Sequence, residues 1–413
     1  MGKLIVLMVT AFVDMVGLLM VLPLLPFYAV RLRSDGVLIS VLDWMGMSGD
    51  GFVVAVLIAS FSVAQLVSAP VWGRVSDRYG RRPALLIGLA ASTLAYIVFA
   101  FAGSVDMLFL SRIVQGAGGG TVGVIQAYVA DATDPENRAR SLGWLSAATS
   151  VGVALGPALG SLSRTFGDEA PGLIAAMLCV LNIIFAWFFL RESHTERSPV
   201  RGGAPVRRSR EAVWHVIAHP NEPSSRLIWI YAIVFLAFSG MTAVLALFLA
   251  ARFGVDESTI GFFFVYIGVI SVITRAGILG WAVDRFGEAR LSRLGVLLLA
   301  AGLAGLPFAR GYVSLAIAVA LVPLGTAFTF PCVTSLLSRV IGAHERGLYM
   351  GVQQSFGGIA RVLGPLWAGI AYDRLGIGVP FWTGAALVVT TIFLGLDMED
   401  YTRESSGVTA ASG

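Results

Sequence analysis

The chain is poor in charge and nearly devoid of lysine. Only 13% of its 413 residues are Asp, Glu, Lys or Arg, about half the share of an average soluble domain. A soluble globule of this size needs more charge to cover its surface, so the shortage implies that lipid is the solvent for much of it. Of the 29 basic residues one is a lysine, Lys3, and the rest are arginines. A phosphate-cradling Gly-x-x-x-x-Gly-Lys loop is therefore excluded, as is a Schiff-base lysine within the fold. If the chain pumps, something other than its own ATP hydrolysis drives it. Cysteine and histidine are scarce too, at two and four residues. Cys179 and Cys332 sit in apolar runs in different halves and read as small core residues rather than a disulfide or metal site. His194, His215, His219 and His344 fall in polar connections. No His/Cys cluster has zinc spacing, and neither a metal nor a cofactor is expected.

What the chain has is apolar length, with 57% hydrophobic residues. Crossing the hydrocarbon core takes about 20 apolar residues as a helix, and only helices or closed barrels satisfy their backbone there. Uninterrupted runs rather than alternation point to helices. The first run, Leu4 to Val30, is too long for a signal peptide, lacks an Ala-x-Ala site and carries Asp14, so it reads as a retained span. Spans are predicted near 4–30, 51–72, 84–103, 107–130, 141–163 and 171–190, then near 227–251, 259–281, 291–309, 312–338, 348–371 and 379–397. The expected class is an all-α integral membrane protein of twelve transmembrane helices. Residues 1–190 and 227–413 would form two six-helix bundles, and 191–226 a cytoplasmic linker. With both termini inside, twenty of the basic residues fall in inner segments, six in outer ones and three, Arg112, Arg275 and Arg361, in spans. That asymmetry supports cytoplasmic termini. Within the arginine-rich linker, Val213–Ile217 reads either as a turn or two in the membrane interface or as part of a disordered segment attracted to anionic lipid.

The chain repeats itself. Gly73-Arg-Val-Ser-Asp77-Arg78-Tyr-Gly80 returns as Gly280-Trp-Ala-Val-Asp284-Arg285-Phe-Gly287, 207 residues later. Arg138, Gly143 and Gly156-Pro157 return as Arg346, Gly351 and Gly364-Pro365, each at 208. The halves then share one orientation, the parallel arrangement of transporters whose site lies at the bilayer midplane between halves.

Gly73-Arg-Val-Ser-Asp77-Arg78-Tyr-Gly80-Arg81-Arg82-Pro83 resembles the signature loop of the major facilitator superfamily, and its degenerate echo is also that family's habit. Leu110-Ser-Arg112-Ile-Val-Gln115-Gly116-Ala-Gly118 resembles the family's second motif. Gly152-Val-Ala-Leu-Gly156-Pro157-Ala-Leu-Gly160 resembles the motif associated with its antiporters, although the usual final glycine is Ser161. Asp14, Gly17 and Leu22-Pro23-Leu-Leu-Pro26 resemble the first span of its twelve-span drug:proton antiporters, tetracycline exporters among them. The resemblance implies proton-coupled efflux of amphipathic or hydrophobic small molecules by alternating access. It also implies a bacterial inner membrane, a monomer, and small-molecule, proton and lipid partners without nucleic acid.

Each motif has a physical reading. Gly73 and Gly80 permit a tight turn between helices. Asp77 accepts hydrogen bonds at a helix end, and Arg81 is placed to pair with Asp131, with Arg78 and Arg138 nearby. This cluster would latch the outward-open state; alternatively, the arginines only enforce topology. Gly152, Gly156 and Gly160 make a smooth stripe for close helix packing, and Pro157 removes a backbone bond. Asp14 lies about 15 Å into its span, where a charge costs roughly 2.5–3.5 kcal/mol on insertion scales. It reads as the proton-coupling carboxylate, with Arg112 helping to expel its proton, or else as a structural hydrogen-bonder or half of a static ion pair. Arg112, Gln115 and Gly119 share a face expected to line a central cavity. Gln126, Tyr231, Phe235, Phe238 and Arg361 complete the expected lining. Arg275 is placed to snorkel toward Asp284. A uniporter or symporter for a metabolite, sugar or lipid shares this fold but does not require Asp14 to titrate. An enzyme is disfavoured, because no metal cluster, P-loop or nucleophile–base pair is evident.

Overall fold

The computed structural model describes residues 3–33, 36–190, 192, 206–342 and 345–395, apart from the side chains of 3, 135, 136, 138, 139 and 206–209. Among these residues every regular element is helical. Ten helical segments among the described residues are long and apolar enough to cross a membrane. A further 29-residue helix, Arg346–Arg374, is long but more polar, and Val379–Leu394 is apolar but 16 residues long. Large apolar side chains are exposed, Phe188, Val67 and Phe393 among them. That is costly in water and favourable in lipid.

The helices coincide with the apolar runs, most of them as single rods, and among the described residues three runs are broken. The first is α1 (Lys3–Val21) and α2 (Leu25–Arg31), separated at the Leu22-Pro23-Leu24 turn. A short helix not anticipated from the sequence, α3 (Val37–Trp44), follows. Its first turn is held by Asp106, which accepts from the backbone N–H groups of Val37 and Leu38 at 2.9 Å each. Next come α4 (Asp50–Tyr79), α5 (Arg81–Ala100), α6 (Val105–Gly118), α7 (Thr121–Ala132), α8 (Pro135–Ser163) and α9 (Ala170–Phe189). The linker contains α10 (Val206–Ala218), longer than the one or two turns expected at 213–217. The later elements are α11 (Pro223–Phe253), α12 (Ile260–Ile273), α13 (Leu279–Phe286), α14 (Glu288–Gly305), α15 (Tyr312–Val340), α16 (Arg346–Arg374) and α17 (Val379–Leu394). A π turn over Thr274–Ile278, again not anticipated, joins α12 to α13.

Two compact units result, residues 1–201 with 244–268 and residues 202–243 with 269–413. The sequence divides the chain at 191–226, whereas packing draws 244–268 into the first unit. In that unit α1 lies along α8 and α9, and α5 packs on α6 and α9. In the second, α14 packs on α15 and α17, and α10 touches α16.

Residues 244–268 are held to their unit by both polar and close apolar contacts. Glu257 pairs with Arg31 at 3.0 Å and with Arg164, and Asp168 pairs with Arg164 and lies 3.6 Å from Arg31. The Tyr28 hydroxyl donates to the Asp168 carbonyl. The Ser161 hydroxyl accepts from the Gly261 backbone N–H at 2.9 Å. Ser161 is the departure from the glycine motif noted above, and its side chain supplies a bond that glycine lacks.

Candidate functional site

The polar centre of the first unit forms where α6 gives way to α7. Gly119 and Gly120 interrupt the helix there, directly after Gly118 ends α6, and the lack of side chains on all three permits a very close approach. A Cβ at Gly118 would stand 2.5 Å from the Ala91 methyl, and one at Gly120 2.5 Å from the Trp72 Cβ. An interrupted helix frees carbonyls that need donors in an apolar interior. Three residues of α4 at helical spacing supply them. Gln65 donates to the Gly119 carbonyl at 3.0 Å, Ser68 to Gly116 at 3.2 Å and Trp72 to Ala117 at 2.6 Å.

The break delivers Thr121, the first residue of α7, to α1. Its hydroxyl donates to Asp14 Oδ2 at 2.8 Å, and both side chains are buried. One turn beyond Asp14, Gly17 lets Tyr96 of α5 approach: a Cβ there would lie 3.2 Å from the Tyr96 hydroxyl. Beside them α1 and α9 share a bond from Asn182 to the Thr10 carbonyl at 3.0 Å.

Arg112 and Gln115 are 1% and 3% exposed, so they lie within the core of this unit. No ion pair joins Asp14 to Arg112 among the described residues. The Arg112 guanidinium stands over the Phe99 ring, 5.8 Å from its centroid, and Nε reaches the Ser111 hydroxyl at 3.4 Å. Arg112 Nη2 and Gln115 Oε1 are buried without a hydrogen-bond partner. Gly119 lies in the break itself, and Gln126 is exposed on α7.

At one end of this unit, Arg81 joins three groups. It meets Asp77 at 2.5 Å, Asp131 at 3.0 Å and the Ser76 hydroxyl at 2.7 Å. Gly80, at φ +106°, makes the turn from α4 to α5 alone. Gly73 lies within α4 with open space beside it, so the two-glycine turn expected from the sequence is corrected: α4 runs on through Tyr79. Arg78 stacks over Tyr79. Arg138 belongs to α8, and its side chain lies outside the described residues. Glu192 completes the turn by accepting from the backbone N–H groups of Arg81 at 2.9 Å and Arg82 at 3.1 Å, capping α5.

The glycine stripe of α8 packs against α1. A Cβ at Gly152 would lie 2.7 Å from the Phe12 carbonyl oxygen, one at Gly156 2.7 Å from the Leu19 Cβ, and one at Gly160 would collide with the Met20 carbonyl. Pro157, one residue beyond Gly156, presents its carbonyl to Gly261.

The second unit holds an aromatic group. Tyr231, Phe235 and Phe238 of α11 surround Phe330 of α15, with centroids 5.2, 5.3 and 6.4 Å from it. Arg361 lies 5.6 Å over the Phe235 ring. Tyr231 is within hydrogen-bonding reach of Gln354 and in the field of Arg275, which sits in the π turn. Phe330 gave no sequence signal, because phenylalanine in an apolar span is indistinguishable from packing until its neighbours are known.

The model of the Major Facilitator Superfamily matches residues 7–365 and 227–410. The Tetracycline resistance protein, class C, of Escherichia coli is 32% identical over 393 residues, covering 94% of this chain and 93% of that protein. Multidrug resistance protein 2 of Bacillus subtilis (strain 168) is 26% identical over 411 residues, covering 95% and 94%. Among solved structures, the human organic anion transporter MFSD10 (TETRAN) superposes with a TM-score of 0.72 at 25% identity, covering 95% of this chain and 99% of that one. The D-xylose-proton symporter gives 0.73 at 15% identity, covering 95% and 96%, a likeness of fold.

Proposed function

Because the chain belongs to the major facilitator superfamily and is a multi-pass membrane protein, we propose that it is a proton-coupled exporter of small amphipathic or hydrophobic molecules. It works by alternating access, with twelve spans in two six-helix bundles, α16 and α17 supplying the last two. Its membrane is the bacterial inner membrane, both termini are cytoplasmic, and one chain suffices.

The observation that carries this reading is the setting of Asp14. A carboxyl group buried in a membrane span, bonded to Thr121 and without a cationic partner, is far cheaper neutral than charged. Arg112 is the complementary case, a buried guanidinium with an unpartnered Nη2 and no carboxylate beside it. A movement that brings an anion to Arg112 relieves that cost. The anion is either Asp14, which then gives up its proton, or an acidic group of the substrate. Proton and substrate thereby exclude one another, which is the requirement for antiport. The Asp77–Arg81–Asp131 cluster is the latch that such a movement opens. Gln115, Gly119, Gln126, Tyr231, Phe235, Phe238 and Arg361 serve the substrate path.

Purified protein in liposomes with an imposed pH gradient tests the reading against a panel of tetracyclines, after the tetracycline and multidrug resistance for which its relatives are named, and of amphipathic drugs. Gradient-dependent uptake of at least one compound into inside-acid liposomes is expected. Movement of every transported compound at a rate indifferent to the gradient would overturn the coupling.

A further inference from the structure

The geometry points to a divalent metal site, of the zinc class, formed by His215, His219 and Glu222 where the linker meets the first span of the second half. His215 and His219 are four residues apart, so they occupy one face of α10 and its end. Glu222 follows in the turn that leads into α11. One ligand atom from each of the three lies within 4.8 Å of the other two. The two rings are stacked at 4.5 Å, and His215 Nδ1 stands 3.6 Å from Glu222 Oε2. Two ligands bound at about 2.0–2.2 Å to one tetrahedral zinc stand roughly that far apart.

Two further observations favour a cation over a simple histidine–carboxylate contact. His215 Nδ1 is buried and has no hydrogen-bond partner, a costly state for a polar nitrogen that a metal would relieve. His219 Nδ1 lies 3.3 Å from the His215 carbonyl. That carbonyl can take only the protonated nitrogen, which leaves Nε2 with its lone pair outward. Metal-bound histidines are held in this way, the second nitrogen tied to a backbone carbonyl. Imidazole and carboxylate together suit zinc and its neighbours rather than magnesium or calcium. Two histidines and one carboxylate leave the fourth position for water or a further ligand. His219 is exposed and the other two are half-buried, so the ion has access from solvent.

The surroundings give the ion mechanical purchase. Val216 is fully buried beside His215, and its carbonyl lies 3.4 Å from Trp229 Nε1 of α11. Trp229 packs edge-on against Phe356 of α16 at 5.2 Å. The Glu222 carbonyl accepts from the Arg226 backbone N–H at 2.9 Å, within the first turns of α11. An ion held by all three side chains would therefore pin α10 to the start of α11.

Zinc titration of the purified full chain, carrying no polyhistidine tag and competing with a chromophoric chelator, tests the site. One equivalent per chain is expected, together with a zinc-dependent rise in melting temperature. His219→Ala and Glu222→Gln should each weaken the binding by more than about tenfold, the loss that even an outer-shell partner can cause. Both should melt like the wild type in chelator, which shows that they fold. Substituting His194 and His344 together by alanine should leave the stoichiometric binding in place. Equal zinc affinity in His219→Ala and wild type, or no stoichiometric uptake by wild type, would overturn the assignment.

Discussion

Arg339 reaches Glu288 across 2.8 Å and makes, late in the chain, the bridge that Arg81 and Asp131 make early in it at 3.0 Å, with the charges exchanged. Glu288 stands 207 residues after Arg81 and Arg339 stands 208 after Asp131, the two offsets of the sequence repeat. Each first partner opens its helix directly after a glycine at positive φ, Gly80 at +106° and Gly287 at +80°. Each second partner comes from the far end of the following span, Asp131 from α7 and Arg339 from α15. The two bridges share their place after a glycine of positive φ and differ in polarity.

The exchange can be reproduced by mutation. Arg81→Glu alone should place three acidic groups together and reduce transport severely. Arg81→Glu with Asp131→Arg copies the arrangement of the second half and should recover a substantial part of it. For the buried Glu288 and the exposed Arg339, removing Arg339 leaves a buried carboxylate with the Ser335 hydroxyl at 2.7 Å but without its cation, at a cost of about 1–3 kcal/mol. Melting of wild type, both single variants and the double variant at each pair gives its coupling energy, and additivity at either pair would mean that it contributes nothing beyond its separate charges.

Asp256 offers a test outside the spans. Its Oδ1 accepts from the hydroxyls of Ser258 and Thr259 at 2.7 and 2.8 Å and from their backbone N–H groups at 3.0 Å each. These bonds, the Ser258 side chain first, hold its carboxyl below the usual carboxylate range. A group whose pKa is depressed by folding stabilises the fold above its unfolded value and loses that contribution as pH falls through the folded one. The start of α12 should therefore loosen in acid, below pH of about 4. Asp256→Asn keeps the acceptor and should remove this pH dependence, whereas Asp256→Ala should cost about 0.5–2 kcal/mol at neutral pH. Hydrogen exchange at Ser258 to Ile260 reads both effects.

The glycine stripe predicts a graded response. Gly160→Ala meets the Met20 carbonyl, so α1 and α8 must separate, at roughly 1–3 kcal/mol. Gly143→Ala and Gly351→Ala meet nothing within 4 Å and should leave the melting temperature near that of wild type. Monodisperse, normally melting Gly160→Ala protein would show that α1 and α8 pack less closely than described.

The spans were legible because lipid demands uninterrupted apolar length, and the repeat because glycine and charge recur at fixed offsets. Breaks within spans were not. Forty-eight glycines give no hint that 118–120 in particular part a helix, since the decisive partners, Gln65, Ser68 and Trp72, lie on another span. Arg81 with Asp131 could be anticipated from the opposed charges flanking short loops. Thr121 as the partner of Asp14 could not, because a threonine opening an apolar segment has many other reasons to be there. A static Asp14–Arg112 ion pair, the alternative that the sequence left open, is not formed; Arg112 faces Phe99 and Ser111 instead. His215 and His219 stand at i, i+4 with Glu222 three residues later, a spacing that acquires meaning only once α10 is known to be a helix.

On the proposed mechanism Asp14, bonded to Thr121, is the decisive position. Asp14→Asn retains the shape of the neutral acid and can keep a bond from the Thr121 hydroxyl, so the protein should insert and fold normally. It cannot exchange a proton, and gradient-driven transport should fall by two orders of magnitude or more, about the contribution of a positioned proton-transfer group, while substrate binding persists. Asp14→Glu should keep part of the coupling. Thr121→Val removes one bond to the carboxyl, worth about 1.5–3 kcal/mol if the group is charged and less if neutral, so it should disturb coupling more than binding. Arg112→Ala should lose both, because it deletes the buried cation that a substrate anion or Asp14 would satisfy. Substrate-induced proton release from detergent-purified protein separates these outcomes. Undiminished release from Asp14→Asn would move the proton to another group, and its absence in wild type would leave Asp14 a hydrogen-bonded structural residue.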